Sequence, residues 1–252
     1  MKRYAATASV LVALAATSPA FAVVPVVFGT SWDGPSQTLQ VILDSRYGAG
    51  HIHVETDYIG AHPGDIDPWF WVGDPLHPSS AYLVKEVAGN ANRNTLCWYE
   101  ENGTKPVFPG NGVVFAGPAG AGAMTVIVFD RPMERFGFLL LPNAGLGVTN
   151  APPGELFFTN RFYNDIGPNG SGALHPPTDG DVQALVYDVS PWAGPNTWAV
   201  CFEDCDSGAM PGPPRVAQTD NDFNDLVFEV TALGATPTAR MSIGALKALY
   251  RH

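Results

Sequence analysis

The sequence predicts an all-β fold: an antiparallel, jelly-roll-like β-sandwich followed by a short C-terminal helix. Short runs of β-branched and aromatic residues recur along the chain, and such runs are typical of strands. The 27 glycines and 23 prolines fall between these runs, where turn residues belong. Before the tail, we find no amphipathic stretch of helical period longer than about ten residues.

Each strand is predicted from an apolar, β-branched or aromatic run that ends at a turn signal. In chain order these runs are 24–28, 38–43, 51–58, 81–87, 95–100, 112–115, 124–129, 135–141, 155–160, 182–188, 198–202 and 226–230. No composition break marks a second domain, so we assign 23–232 to one sandwich domain and 233–252 to a basic tail. In that tail Ser242 is positioned to cap a short helix, which is either a docked terminal helix or a recognition tag for sorting.

The first 22 residues read as a secretory signal peptide. Lys2 and Arg3 precede a short apolar core, and Ala20-Phe21-Ala22 matches the small-residue cleavage pattern. The apolar core is too short to span a bilayer, and no later run is long enough. We therefore expect cleavage after Ala22, a secreted extracellular protein and no membrane span after signal removal.

The charge balance excludes some partners. The full chain has a formal net charge of −11, and loss of Lys2 and Arg3 with the signal peptide makes it −13. Binding to nucleic acid or to an anionic membrane needs a basic surface. We therefore expect this protein to bind neither nucleic acid nor an anionic membrane. We expect instead an acidic surface that is compatible with bound cations.

Three cysteines remain in the predicted mature chain: Cys97, Cys201 and Cys205. One disulfide and one free thiol is the simplest arrangement in an oxidising compartment. The favoured pair is Cys201–Cys205, which closes a tight loop. The alternatives are Cys97–Cys201 and Cys97–Cys205, which would join distant strands.

The most informative stretch of the chain is an acidic run that leads into the last predicted strand. Asp220, Asp222, Asn224 and Asp225 crowd oxygen-bearing side chains together, at a cost in charge repulsion that a bound cation relieves. Calcium takes six to eight such ligands. Asp225 stands where a helix-loop-helix calcium loop needs glycine, and a strand follows, so that motif is excluded. A solvated acidic turn is the alternative.

A second acidic pair, Glu203-Asp204, follows the strand-like run 198–202. We expect it to form the other half of a structural calcium clamp with the 220–225 run.

These two segments resemble the C-terminal signature of a bacterial secreted family of domains of unknown function. Its E-D pair followed by D-x-D-[YF]-N-D matches CFED at 201–204 and TDNDFNDLVFEV at 219–230. Similar segments occur at 86–103, 136–143, 157–165 and 181–189, so the resemblance covers about residues 80–232. The family occurs in extracellular proteins, including PEP-CTERM and LruC-type surface proteins.

The resemblance implies a β-sandwich without enzymatic activity. The resemblance also implies that six oxygen-bearing residues bind a cation. These are Glu203, Asp204, Asp220, Asp222, Asn224 and Asp225.

Two further clusters carry alternative chemistry. His51, His53, Glu55 and Asp57 share one face if 51–58 is a strand, and a polar outer face is favoured there over a transition-metal site. The segment 67–71 holds Trp69 and Trp71, and it is either a core plug or a stacking surface for a sugar ring.

These observations lead to a ranked set of functions. The first is a non-enzymatic, calcium-stabilised surface or matrix component that contacts extracellular components or glycans. The second is a carbohydrate-binding module that uses Trp69, Trp71 or Tyr99. The third is a carboxylate hydrolase, which is disfavoured because no nucleophile motif such as G-x-S-x-G occurs.

Overall fold

In the described part of the chain, two antiparallel sheets pack face to face, and the helices are few and short. The computed structural model describes residues 26, 28–61, 71–87, 91–146, 156–164, 182–204 and 220–235. The predicted β-sandwich is confirmed. The predicted signal peptide, the C-terminal helix, Trp69 and Cys205 lie outside the described residues.

Eleven strands make up the described part of the two sheets. They are β1 (Trp71–Gly73), β2 (Ser79–Glu86), β3 (Thr95–Glu100), β4 (Gly112–Phe115), β5 (Met124–Ile127), β6 (Met133–Leu141), β7 (Phe157–Phe158), β8 (Ala184–Asp188), β9 (Thr197–Phe202), β10 (Leu226–Thr231) and β11 (Leu233–Ala235). The helices are α1 (Leu39–Tyr47) and α2 (Ser190–Ala193), with 3-10 turns at Pro142–Gly145 and Arg161–Tyr163.

The first sheet has the order β11-β1-β6-β3-β4, with β7 paired to β6, and the second has the order β5-β2-β10-β9-β8. Strand β10 lies at the centre of the second sheet, where Phe228 is opposite Leu83 on one side and Val200 on the other. The acidic run at 220–225 leads directly into this central strand. The candidate site therefore lies next to the central strand of its sheet.

The main core fills the space between the sheets, and a second core covers the outer face of the second sheet. Phe138 and Phe228 meet across the sandwich with ring centroids 4.9 Å apart. Val227 points the other way, into the second core with Leu39 and Leu43 of α1. Strand β10 is buried on both faces, which explains why its sequence is mainly apolar, with Glu229 as its one charged residue.

The predicted strand at 38–43 is wrong, because α1 occupies most of it. The Thr38 hydroxyl accepts a hydrogen bond from the Val41 N–H and caps the helix. Leu39, Ile42 and Leu43 form one buried face, and their burial against the sheet outweighs the strand preference of Val41 and Ile42. The predicted strand at 51–58 is also wrong, since these residues form turns.

The predicted Cys201–Cys205 disulfide is not formed, because Cys201 is a free thiol. Its side chain is buried in the second core beside Leu185 and Val227. Cys97 is likewise free and buried, so neither pairing that joins Cys97 to Cys201 or Cys205 is formed. Burial raises the pKa of the Cys97 thiol to about 12, which leaves it inert at neutral pH.

Candidate metal centre

The acidic run lies against a segment from the other end of the chain. The Gly29 N–H donates to the Asn221 carbonyl at 3.2 Å, and the Trp32 N–H donates to Asp220 Oδ2 at 2.6 Å. The side-chain amide of Asn224 donates to the Gln37 carbonyl at 2.8 Å. These contacts bring residues 29–37, which the sequence reading did not connect with the acidic run, to the candidate site.

Three carboxylates converge where the two segments meet. Asp33, Asp220 and Asp222 each offer an oxygen, and these three atoms all lie within 4.8 Å of one another. Asp222 is buried, while Asp33 and Asp220 are partly exposed. A partly buried cluster of this kind has the ligand type and spacing to hold a metal ion. We call these three residues the carboxylate cluster.

Asn224 supplies an independent indication of a ligand. It is fully buried, and its side-chain N–H group donates to Ser31 Oγ at 3.3 Å and to Asp222 Oδ2 at 2.5 Å. Its other polar atom, Oδ1, is buried without a hydrogen-bond partner among the residues that the structure describes. An unsatisfied buried oxygen is costly, and coordination to a cation would satisfy it.

Charge repulsion and burial both act against ionisation of the cluster. Burial is the main cause that raises the pKa of Asp222 to about 6, and the charges of Asp220 and Asp33 add to it. Burial, followed by the charge of Asp220, also raises the pKa of Asp33. A bound divalent cation would reverse both effects, because it favours the charged carboxylates.

The loop adopts a strained backbone at the point where its ligands converge. Asn221 and Phe223 have φ values of 48° and 54°, in the left-handed region that non-glycine residues seldom adopt. The fully buried Phe223 ring packs edge-on against Phe28 at 5.9 Å and holds the loop in place. Such strain persists only where surrounding contacts impose it, and it is concentrated at functional sites.

Of the six predicted ligands, Asp220 and Asp222 lie in the carboxylate cluster and Asn224 contacts it. The other three form an adjacent buried group outside the cluster. In that group the Asp204 N–H donates to Asp225 Oδ2 at 2.7 Å, and the Phe223 N–H donates to Glu203 Oε2 at 3.3 Å. Burial and then the charge of Glu203 raise the pKa of Asp225 well above its usual range.

Two residues near these groups were missed by sequence reasoning. Asp33 is isolated in the sequence, and no motif connects it with the run at 220–225. Glu86, at the end of β2, lies close enough to Asp204 to feel its charge, and burial is the main cause that raises its pKa to about 7. Strand β2 alternates between buried and partly buried positions as an ordinary strand does. This pattern gives no sign of the burial and the neighbouring charge that act on Glu86.

The predicted histidine face is not formed, because residues 51–57 turn instead of extending. His51 stacks on Trp192 with centroids 5.3 Å apart, and Asp57 Oδ2 accepts the His53 N–H at 2.8 Å. His53 and Glu55 instead line a groove of about 530 Å³ that reaches Asp222. A metal site on a shared strand face is therefore excluded for these four residues.

Trp71 is fully buried and packs against Phe138 and Trp198 in the main core. The proposed stacking role is therefore wrong for Trp71, and the core alternative is right. Tyr99 is also buried, which removes it as a stacking surface for a sugar.

Comparisons of the chain with protein-family models, curated proteins and solved structures find no match. Among the helices in the described ranges, none has both the length and the apolar character that crossing a membrane requires. The fold and the carboxylate cluster therefore define the class of protein: a β-sandwich with a candidate cation site at one loop.

Proposed function

We propose that this protein is a secreted, non-enzymatic β-sandwich that calcium stabilises, and that it acts as a surface or matrix component outside the cell. The observation that carries the proposal is the convergence of Asp33, Asp220 and Asp222 within 4.8 Å. The signal-peptide pattern of residues 1–22 and the resemblance to secreted surface domains support the compartment.

Calcium is the cation that fits this ligand set best. The cluster offers only oxygen ligands, all from its three carboxylates. Asn224 Oδ1, in the loop that carries Asp220 and Asp222, has no hydrogen-bond partner in the described part of the chain. Hard oxygen ligands in large number suit calcium, whereas zinc and copper favour nitrogen and sulfur. Magnesium retains most of its water and seldom uses a site built mainly from protein groups.

The proposed role of the ion is to join two parts of the chain that are distant in sequence. Asp33 lies in the segment before α1, and Asp220 and Asp222 lie in the loop before the central strand β10. An ion bound only by the folded protein adds RT ln(1 + [L]/Kd), which is about 2.7 kcal/mol at a hundredfold excess over Kd. Calcium would thus fix the N-terminal segment and α1 on the sandwich.

The experiment is a thermal unfolding series on the mature chain from Val23, first depleted of metal and then titrated with calcium or magnesium. We expect the melting temperature to rise with calcium and to respond much less to magnesium at the same concentration. A melting temperature that is indifferent to calcium would overturn the proposal. N-terminal sequencing of the exported protein tests the compartment, with Val23 as the expected first residue.

A further inference from the structure

We propose that strand β5 is a self-association strand, through which two copies of this chain pair in antiparallel orientation. The pairing joins the second sheet of one copy to the second sheet of the other. It is independent of the carboxylate cluster, which lies where the segment before α1 meets the loop that precedes β10.

In the described part of the chain, no strand pairs with the side of β5 that faces away from β2. Strand β5 is the last strand of its sheet, and within the described ranges β2 is its sole strand neighbour. The opposite edge of the same sheet is covered: the Ile59 N–H donates to the Val186 carbonyl of β8 at 2.8 Å. An uncovered edge presents unpaired N–H and C=O groups that another strand can pair with.

The side chains of β5 and its continuation form an apolar stripe on the outer face of the sheet. Ile127 points into the main core, whereas Met124, Val126 and Val128 are 72%, 63% and 66% exposed. The covering layer around α1 ends one strand away, where the Arg46 guanidinium lies 4.5 Å above the Tyr82 ring. Tyr82 is opposite Met124 in the register. The apolar stripe on β5 therefore begins next to the strand at which the covering layer around α1 ends.

The charge pattern indicates a second copy as the occupant. No charged residue occurs between Lys105 and Asp130, in a chain whose formal net charge is −11. Charged side chains are one of the devices that protect natural edge strands from self-pairing, and β5 has none. Two acidic copies repel each other over most of their surfaces, and this uncharged stripe is where they can approach. A basic partner would instead be drawn to the acidic surfaces.

The strand is also self-complementary. A two-fold axis beside Val126 places Val126 of one copy against Val126 of the other, and Met124 against Val128 on both sides. The two apolar stripes then lie side by side on one continuous outer face. Cross-strand apolar pairs of this kind stabilise sheets.

The first test is sedimentation velocity of the mature chain over a range of protein concentrations, at low and at high salt. We expect a monomer–dimer equilibrium that salt shifts towards the dimer, because salt screens repulsion between acidic copies. Val126→Lys should abolish the dimer. Leu76→Lys, a matched change at an apolar residue that is 83% exposed elsewhere, should leave it unchanged. A wild-type chain that stays monomeric, or a Val126→Lys chain that dimerises as well as wild type, would overturn the proposal.

The second test examines the register of the proposed strand pairing, and it also controls for variants that lose the dimer because they misfold. Met124→Lys and Val128→Glu should each weaken dimerisation. An equimolar mixture should restore it, since the ammonium group introduced in one copy then faces the carboxylate introduced in the other. Restoration in the mixture shows that both variants are folded. Folded variants, by circular dichroism, that do not associate on mixing would contradict the proposed antiparallel pairing.

Discussion

Gly29 lies so close to Asp220 that a Cβ atom at position 29 would stand 1.8 Å from the Asp220 carbonyl oxygen. Only glycine permits this approach without displacing one of the two segments. The contact brings the segment that carries Asp33 against the loop that carries Asp220 and Asp222. The carboxylate cluster therefore depends on a backbone contact as much as on its charged groups.

Gly29→Ala should separate the two segments and disrupt the cluster. We expect a loss of about 1–3 kcal/mol in the free energy of unfolding, typical of overpacking, together with a reduced response to calcium. Urea unfolding with and without calcium measures both effects. Gly120→Ala is the control, because a Cβ there meets no atom within 4 Å. A Gly29→Ala chain with the stability and calcium response of wild type would show that the close approach does not matter.

Asp33→Asn should have opposite effects in the absence and presence of calcium. Without metal, Asp33→Asn removes a negative charge beside Asp220. The melting temperature of the metal-depleted protein should therefore stay the same or rise. With calcium it removes a ligand, so the calcium-induced rise should shrink. Thermal unfolding of metal-depleted and calcium-loaded protein measures both. The exposed Asp130→Asn change serves as the control and should leave the calcium response intact. A full calcium response in Asp33→Asn would remove Asp33 from the site.

The metal-depleted protein should lose stability as pH rises from about 4 to about 7. The pKa of Asp222 is raised from 3.8 to about 6 and that of Glu86 from 4.5 to about 7. The folded state therefore retains protons that the unfolded state has already released, and each raised pKa costs stability as pH passes through this window.

Calcium should reduce the part of the pH-dependent loss of stability that comes from Asp222. In metal-depleted protein, Asp222→Asn should remove the same part of that loss. Melting temperatures across the pH series, for wild type and Asp222→Asn, give the comparison. Identical pH profiles for the two proteins would show that Asp222 does not titrate in this range.

The contact of α1 with β10 gives a prediction that does not involve metal. The Arg46 guanidinium donates to both carboxylate oxygens of Glu229 at 2.8 and 2.9 Å, and the Tyr47 hydroxyl donates to the same group at 2.9 Å. Arg46 is partly exposed and Glu229 is buried. Arg46→Ala should therefore cost about 1.5–3 kcal/mol, the range for a hydrogen bond to a charged group.

The surface pair of Arg131 with Glu100 provides the comparison. Arg131→Ala should cost at most about 1 kcal/mol, as is usual for an exposed ion pair. Urea unfolding of both variants compares the two pairs directly. An equal cost for the two changes would mean that the Glu229 contact contributes no more than a surface pair.

The strands of the sandwich were largely predictable from the sequence because their apolar runs end at turn residues. β3 and β4 match their predicted bounds, and β9 and β10 match within one residue. The helix α1 was missed because Val41 and Ile42 favour strands locally, while burial of Leu39 and Leu43 against the sheet decides the outcome. β1 was missed because the segment 67–71 was interpreted as a core plug or a stacking surface, and not as the start of a strand.

The candidate site was predictable only in part. Asp220, Asp222 and Asn224 lie together in the sequence, and their crowding alone pointed to a cation. Asp33 joins them through a tertiary contact that no local pattern encodes. Glu203, Asp204 and Asp225 were predicted to ligate the same ion, and that stays a prediction. They lie in an adjacent buried group, in which Glu203 and Asp225 accept hydrogen bonds from backbone N–H groups.

The most direct test of the central claim is a crystal structure of the mature protein in calcium, with anomalous data to locate the ion. We predict an anomalous peak among Asp33, Asp220 and Asp222, with carboxylate oxygens at about 2.3–2.6 Å from it. Calcium-saturated crystals with no peak at these three residues would contradict the account, as would a peak held by other residues alone.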